Sequence, residues 1–157
     1  KPNLWMTPNL LLQKFPAPSF TATTSMSWHV DSLNREGKRA GLLVMGDDYA
    51  GLVMSKDDKG FKISKIICKN ATAGQPEQVE TEQYISSNKA YLRVEITGPP
   101  AVCRFSFSTD GQRFMPLGAE FMAKTDTWIG AKLGLFASST APGKRGGYAD
   151  FEWFRVE

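Results

Sequence analysis

Residues 103–108 alternate without a break. Cys103, Phe105 and Phe107 fall on one side of an extended chain; Arg104, Ser106 and Ser108 fall on the other. A period of two marks a strand with one buried face. The run stops at Thr109-Asp110-Gly111-Gln112, where Asp and Gly suit a tight reversal. An aromatic-rich segment, Gly147-Tyr-Ala-Asp-Phe-Glu-Trp-Phe-Arg-Val156, closes the chain as a further strand. Half-buried strands joined by tight turns point to a sandwich of two sheets.

The same pattern recurs along the sequence. Ser19 to Trp28 sets Phe20, Ala22, Thr24, Met26 and Trp28 against Thr21, Thr23, Ser25 and Ser27. Ala40 to Met45 and Ala50 to Met54 are apolar runs joined at Gly46-Asp47-Asp48-Tyr49, a hairpin of two well-buried strands. Gly60 to Lys69 follows the turn Lys56-Asp-Asp-Lys-Gly60. Gln78 to Ile85 is polar, as an edge or open-faced strand is. Lys89 to Thr97 turns Leu92, Val94 and Ile96 inward and Tyr91, Arg93 and Glu95 outward, and Gly98-Pro99-Pro100 breaks it. Lys132 to Ser138 and Tyr148 to Val156 complete roughly ten strands. In the last, strict alternation places Phe151 and Trp153 on one face, Tyr148 and Phe154 on the other. A second apolar face would pack under a loop or against a neighbouring domain. No long stretch carries a helical stripe. Lys124 to Ile129 is expected to form one helical turn. Ser139 to Gly147 is the most flexible loop by composition, and Asn70 to Pro76 the second. Gly146-Gly147 is no phosphate loop, since no helix follows it.

With 157 residues, 41% of them hydrophobic, the chain suits a single domain, 1–157, with a real core. Nineteen basic and sixteen acidic residues leave +3. Lys14, Lys56, Lys89 and Arg113 are scattered, so no basic stripe follows a nucleic-acid backbone. No apolar run reaches the roughly 20 residues of a membrane helix, which excludes a helical membrane span. Lys1-Pro-Asn-Leu-Trp5 carries no signal-peptide pattern and has the look of a cut edge or a mature start.

Candidate chemistry is sparse. Cys68 and Cys103 show neither metal-ligand nor redox spacing; two buried free thiols are expected, with a disulfide as the alternative. The single histidine, His29, reads as a strand-end surface residue, and no nucleophile elbow accompanies it. Asp150 and Glu152 supply two oxygen ligands where calcium wants several converging ones, so no metal is expected. No cofactor motif is present.

The blocks Asn9 to Lys14, Gly37-Lys-Arg-Ala-Gly-Leu42, Tyr91-Leu-Arg-Val94, Phe105 to Gly111, Trp128-Ile-Gly-Ala131, Gly134-Leu-Phe-Ala137 and Ala149-Asp-Phe-Glu-Trp-Phe154 come in one order over nearly the whole chain. In them the chain resembles the C-terminal concanavalin-like β-sandwich of family 43 glycoside hydrolases, the β-xylosidase and α-arabinofuranosidase group. The resemblance implies an all-β fold, a two-sheet antiparallel jelly roll, and a fragment of a larger glycosidase. It implies an accessory domain that braces a five-bladed catalytic propeller, which is absent here, and helps frame the substrate cleft on xylan or arabinan. An independent carbohydrate-binding module is the alternative, with an oligosaccharide as partner. An enzyme on this scaffold is a third reading, and the Glu-x-Asp-x-x-Glu strand typical of such glucanases is missing. A parent that degrades polysaccharide favours an extracellular or periplasmic location. Inverting hydrolysis needs two carboxylates about 6.5–9.5 Å apart. Asp47-Asp48 and Asp57-Asp58 sit side by side in turns, so no catalytic residue is assigned.

Three residues are candidates for sugar binding or a domain interface. Trp128 lies in an accessible-looking loop, Thr125-Asp-Thr127 to Gly130, with capping of the core as the competing reading. Tyr49 stands at the Asp47-Asp48 turn. Lys132 follows Gly130-Ala131, where some xylosidases of the family reach an aromatic into the active site.

Overall fold

The computed structural model describes residues 3–6, 10–29, 37–123, 130–139 and 148–157. Their strands are β1 (Leu10–Lys14), β2 (Phe20–His29), β3 (Lys38–Met45), β4 (Tyr49–Asp57), β5 (Gly60–Cys68), β6 (Gln78–Ile85), β7 (Lys89–Thr97), β8 (Val102–Ser108), β9 (Met115–Pro116), β10 (Phe121–Met122), β11 (Lys132–Ser139) and β12 (Tyr148–Val156). They form two antiparallel sheets. The first runs β1-β11-β3-β4-β5-β6; the second runs β10-β8-β7-β2-β12, with β9 beside β8. The expected hairpin is β3–β4, and the polar strand is β6, at a sheet edge. The expected turn at 124–129 and most of the 139–147 loop lie outside the described residues.

The inner faces of the sheets seal each other. Phe20, Ala22, Met26 and Trp28 from β2, Leu92, Val94 and Ile96 from β7, and Cys103, Phe105 and Phe107 from β8 meet Ala40, Leu42 and Val44 of β3 and Leu52 and Met54 of β4. The first sheet is apolar on its outer face as well. There Leu43, Met45, Tyr49, Val53, Ile66, Cys68 and Phe136 form a second cluster with Leu4 and Ala71, which belong to two short 3₁₀ turns, Leu4–Met6 and Ala71–Ala73. The Asn70 to Pro76 segment is therefore no loose loop. Asp48 accepts the Asn70 N–H at 2.8 Å, the Asp47 carbonyl accepts that of Ala71, and the Asn3 side chain donates to the Ala71 carbonyl. Cys68 and Cys103 are both free thiols, one in each cluster. Burial pushes the Cys103 thiol up to about 12.

The last strand departs from strict alternation. Phe151 pairs with Met26 but Trp153 with Ser25, so Glu152 is an extra residue in a β-bulge. The bulge reverses parity. Phe151, Phe154 and Val156 all pack on the inner core, while Glu152 and Trp153 meet side chains of the outer face. The Thr24 hydroxyl donates to the Trp153 carbonyl at 2.8 Å, beside the bulge.

Candidate functional site

The two long edges of the sandwich are built differently. At one, Lys65 of β5 points between the sheets, 1% exposed, its Nζ 5.3 Å above the Phe105 ring. It donates to Glu80 of β6 at 2.7 Å and to the Ala119 carbonyl, near β10, at 3.2 Å; Glu80 in turn accepts the Ala119 N–H at 2.8 Å. Burial opposes the Glu80 charge, yet Lys65 and the Ala119 N–H hold its carboxyl below the usual range. A polar latch thus closes this edge. Among the described residues the other edge stays open. Between β1 and β11 on one side and β12 on the other runs a groove of about 490 Å³, lined by Leu10, Leu11, Leu135, Phe151, Trp153 and Phe154 among others. Leu11 is 75% exposed there.

Of the three candidates, Trp128 lies outside the described residues. Lys132 begins β11, half-buried, paired across the strands with Met45 and Lys14. Tyr49 is fully buried, so its ring has no face left for a sugar. Its hydroxyl accepts the Leu4 N–H at 2.9 Å and donates to Glu77 at 2.7 Å; Glu77 also takes two N–H bonds from Arg39. Burial, reinforced by Glu77, raises the Tyr49 hydroxyl above the usual phenol range. The structure brings Tyr49 and Lys132 to the same outer face but joins them in no shared pocket.

Asp48 and Asp57 of the turns are engaged, Asp48 with the Asn70 N–H. Asp57 accepts the Tyr84 hydroxyl and the Lys59 N–H. His29, at the end of β2, stands 3.6 Å from Asp150. Among the described residues no three His, Cys, Asp or Glu side chains converge as metal ligands.

Alternation alone underrated one surface. On the outer face of the second sheet, the Tyr91 and Trp153 ring centroids lie 6.0 Å apart. The Arg155 guanidinium lies 4.3 Å above Trp153, and that of Arg93 lies 3.6 Å above Phe114. Lys89 bonds Glu152 at 3.0 Å, and Ser27 donates to the same carboxylate. The signal was the aromatic-then-arginine spacing of Tyr91-x-Arg93 and Trp153-x-Arg155; only the bulge puts the second pair on the same face as the first.

Solved structures with this fold include a bifunctional GH43-CE protein from Bacteroides eggerthii, with a TM-score of 0.79 and 23% identity over 96% of this chain and 20% of that one. A GH43 protein from Bacillus licheniformis follows, at 0.75 and 18% identity, covering 94% and 29%. A legume lectin-like domain from Entamoeba histolytica matches at 0.56 and 12%, covering 97% and 82%. The chain thus spans under a third of the two GH43 proteins. No curated protein sequence matches it. The family described as the β-xylosidase C-terminal concanavalin A-like domain matches residues 1–157, end to end, and the chain belongs to that family.

Proposed function

We propose that this domain is a non-catalytic accessory sandwich of a family 43-type glycoside hydrolase acting on plant polysaccharide of the xylan or arabinan class, packed against the catalytic propeller and helping to frame its cleft. One observation carries the reading: a domain of this family leaves one sandwich edge open and apolar, with Leu11 75% exposed, while latching the other. Exposed apolar grooves mark interaction sites. We assign the open edge to the catalytic domain, because the GH43 proteins that share the fold are several times longer than the chain.

The test joins the chain to a family 43 propeller in one polypeptide. The isolated chain is expected to release no sugar from aryl-xylosides or aryl-arabinosides, and Leu11→Asp in the joined protein to lower the melting temperature of the propeller. Sugar release by the chain alone would overturn the reading. So would a propeller equally stable and active without the sandwich. The outer face of the second sheet favours a second role in the same protein, the binding of carbohydrate.

A further inference from the structure

The outer face of the second sheet has a floor and two walls. Along the floor, β2 sets the small hydroxyl side chains of Thr21, Thr23, Ser25 and Ser27, of which Thr23 and Ser25 are buried beneath their neighbours. The walls are β7 and β12. In one row Arg93 and Arg155 both pair with Thr23; in the next Tyr91 and Trp153 both pair with Ser25. Strand spacing sets the two walls about 10 Å apart at their backbones.

The charges of this face are unevenly matched. Four cations elsewhere are paired: Arg39 with Glu77, Lys62 with Glu82, Lys65 with Glu80, and Arg104 with Glu120. On this face Lys89 is paired with Glu152. Arg93 and Arg155 form no ion pair among the described residues. Each instead lies over an aromatic ring, a contact that does not consume the guanidinium N–H donors. Arg93 uses its Nε to bond Thr23 Oγ1 at 3.0 Å; its terminal nitrogens remain available. A planar fork of N–H donors matches a carboxylate. Tyr91 and Trp153 are half-buried, and aromatic rings match the C–H faces of a pyranose.

We infer that this face binds a plant polysaccharide bearing uronic acid groups, with the sugar rings against Trp153 and Tyr91 and a carboxylate held by Arg93 and Arg155. The inference deepens the carbohydrate-binding role proposed above; it shares Trp153 with the open groove, whereas Arg155 does not line that groove and so separates the two readings. Neutral chains would meet the rings but leave both guanidiniums without a counter-charge.

Titration calorimetry of the chain with 4-O-methylglucuronoxylan oligosaccharides and with neutral xylo-oligosaccharides of equal length tests it. The acidic ligand is expected to bind about tenfold more tightly, with the advantage shrinking between about 50 and about 300 mM salt. Arg155→Gln, at an exposed position, is expected to cost the acidic ligand about tenfold, leave the neutral one unchanged, and keep the melting temperature. Equal affinity for the two sugars, no heat with either, equal binding of polyglutamate, or an unaffected Arg155→Gln variant would each overturn the inference. So would a dimer that Arg155→Gln dissolves, since the face would then belong to a second copy. A null result for Leu11→Asp in the joined protein would count against the docking edge alone.

Discussion

The two edges of this sandwich solve one problem in opposite ways. Both expose the seam between the sheets. At the β6 and β10 edge, a buried ammonium is tied to a carboxylate and a carbonyl from the facing layers, and the seam closes. At the β1 and β12 edge, apolar and aromatic residues line the gap and no ion pair closes it among the described residues. A buried ion pair is a costly way to close a seam unless every donor is satisfied. Its presence on one side makes the bare apolar groove on the other a surface kept for something else.

The largest expected effect breaks the latch. Glu80→Ala strands the Lys65 ammonium inside the sandwich and is expected to lower unfolding free energy by about 3 kcal/mol in urea titrations. Adding Lys65→Met should recover most of that loss, because a long apolar chain can occupy the same space beside Phe105. Failure of the double variant to recover would show the latch to be more than charge pairing. Next in size is Tyr49→Phe. It removes the hydroxyl that accepts the Leu4 N–H and donates to Glu77, which keeps its bonds from Arg39, and is expected to cost about 1–2 kcal/mol, read from the same titrations. On the open edge, Leu11→Asp is expected to change the stability of the isolated chain by less than about 0.5 kcal/mol. A large loss there would mean the edge is already part of the core.

Much of the fold is legible in the sequence because half-buried strands write their own pattern. β7 and β8 keep strict alternation, and their inward residues are the ones that alternation names. β12 is misread for a physical reason. A bulge inserts one residue without changing residue types, so nothing in Phe-Glu-Trp-Phe marks the reversal of Trp153 and Phe154. Tyr49 is misread because the groups that bury and bond it come from Leu4 and Glu77, 45 and 28 residues away, and a turn examined locally shows neither. Lys65 falls on the inward row of β5, but its partners Glu80 and Ala119 cannot be seen from its own strand. The arginines of the outer face follow the same logic: each is ordinary by itself, and only pairing across Thr23 makes them a set.

The smallest effect is electrostatic and local to the turn after β8. Asp110 accepts the Arg113 and Gln112 N–H groups and the Ser108 hydroxyl, which hold its carboxyl down to about 2. The folded state thus favours the ionised form. That contribution is full above the ordinary carboxylate range and fades as pH falls from about 4 toward about 2. Asp110→Asn should flatten this part of the pH dependence in thermal melts, lowering the melting temperature slightly at neutral pH and leaving it nearly unchanged near about pH 2.

Hydrogen exchange on the sandwich, alone and joined to a family 43 propeller, tests most directly which edge is built for company. The contrast between the edges predicts that the propeller slows exchange in Leu10–Lys14 and along Tyr148–Val156 and leaves Gln78–Ile85 as it was. Protection of Gln78–Ile85 instead, or of neither edge, would contradict it.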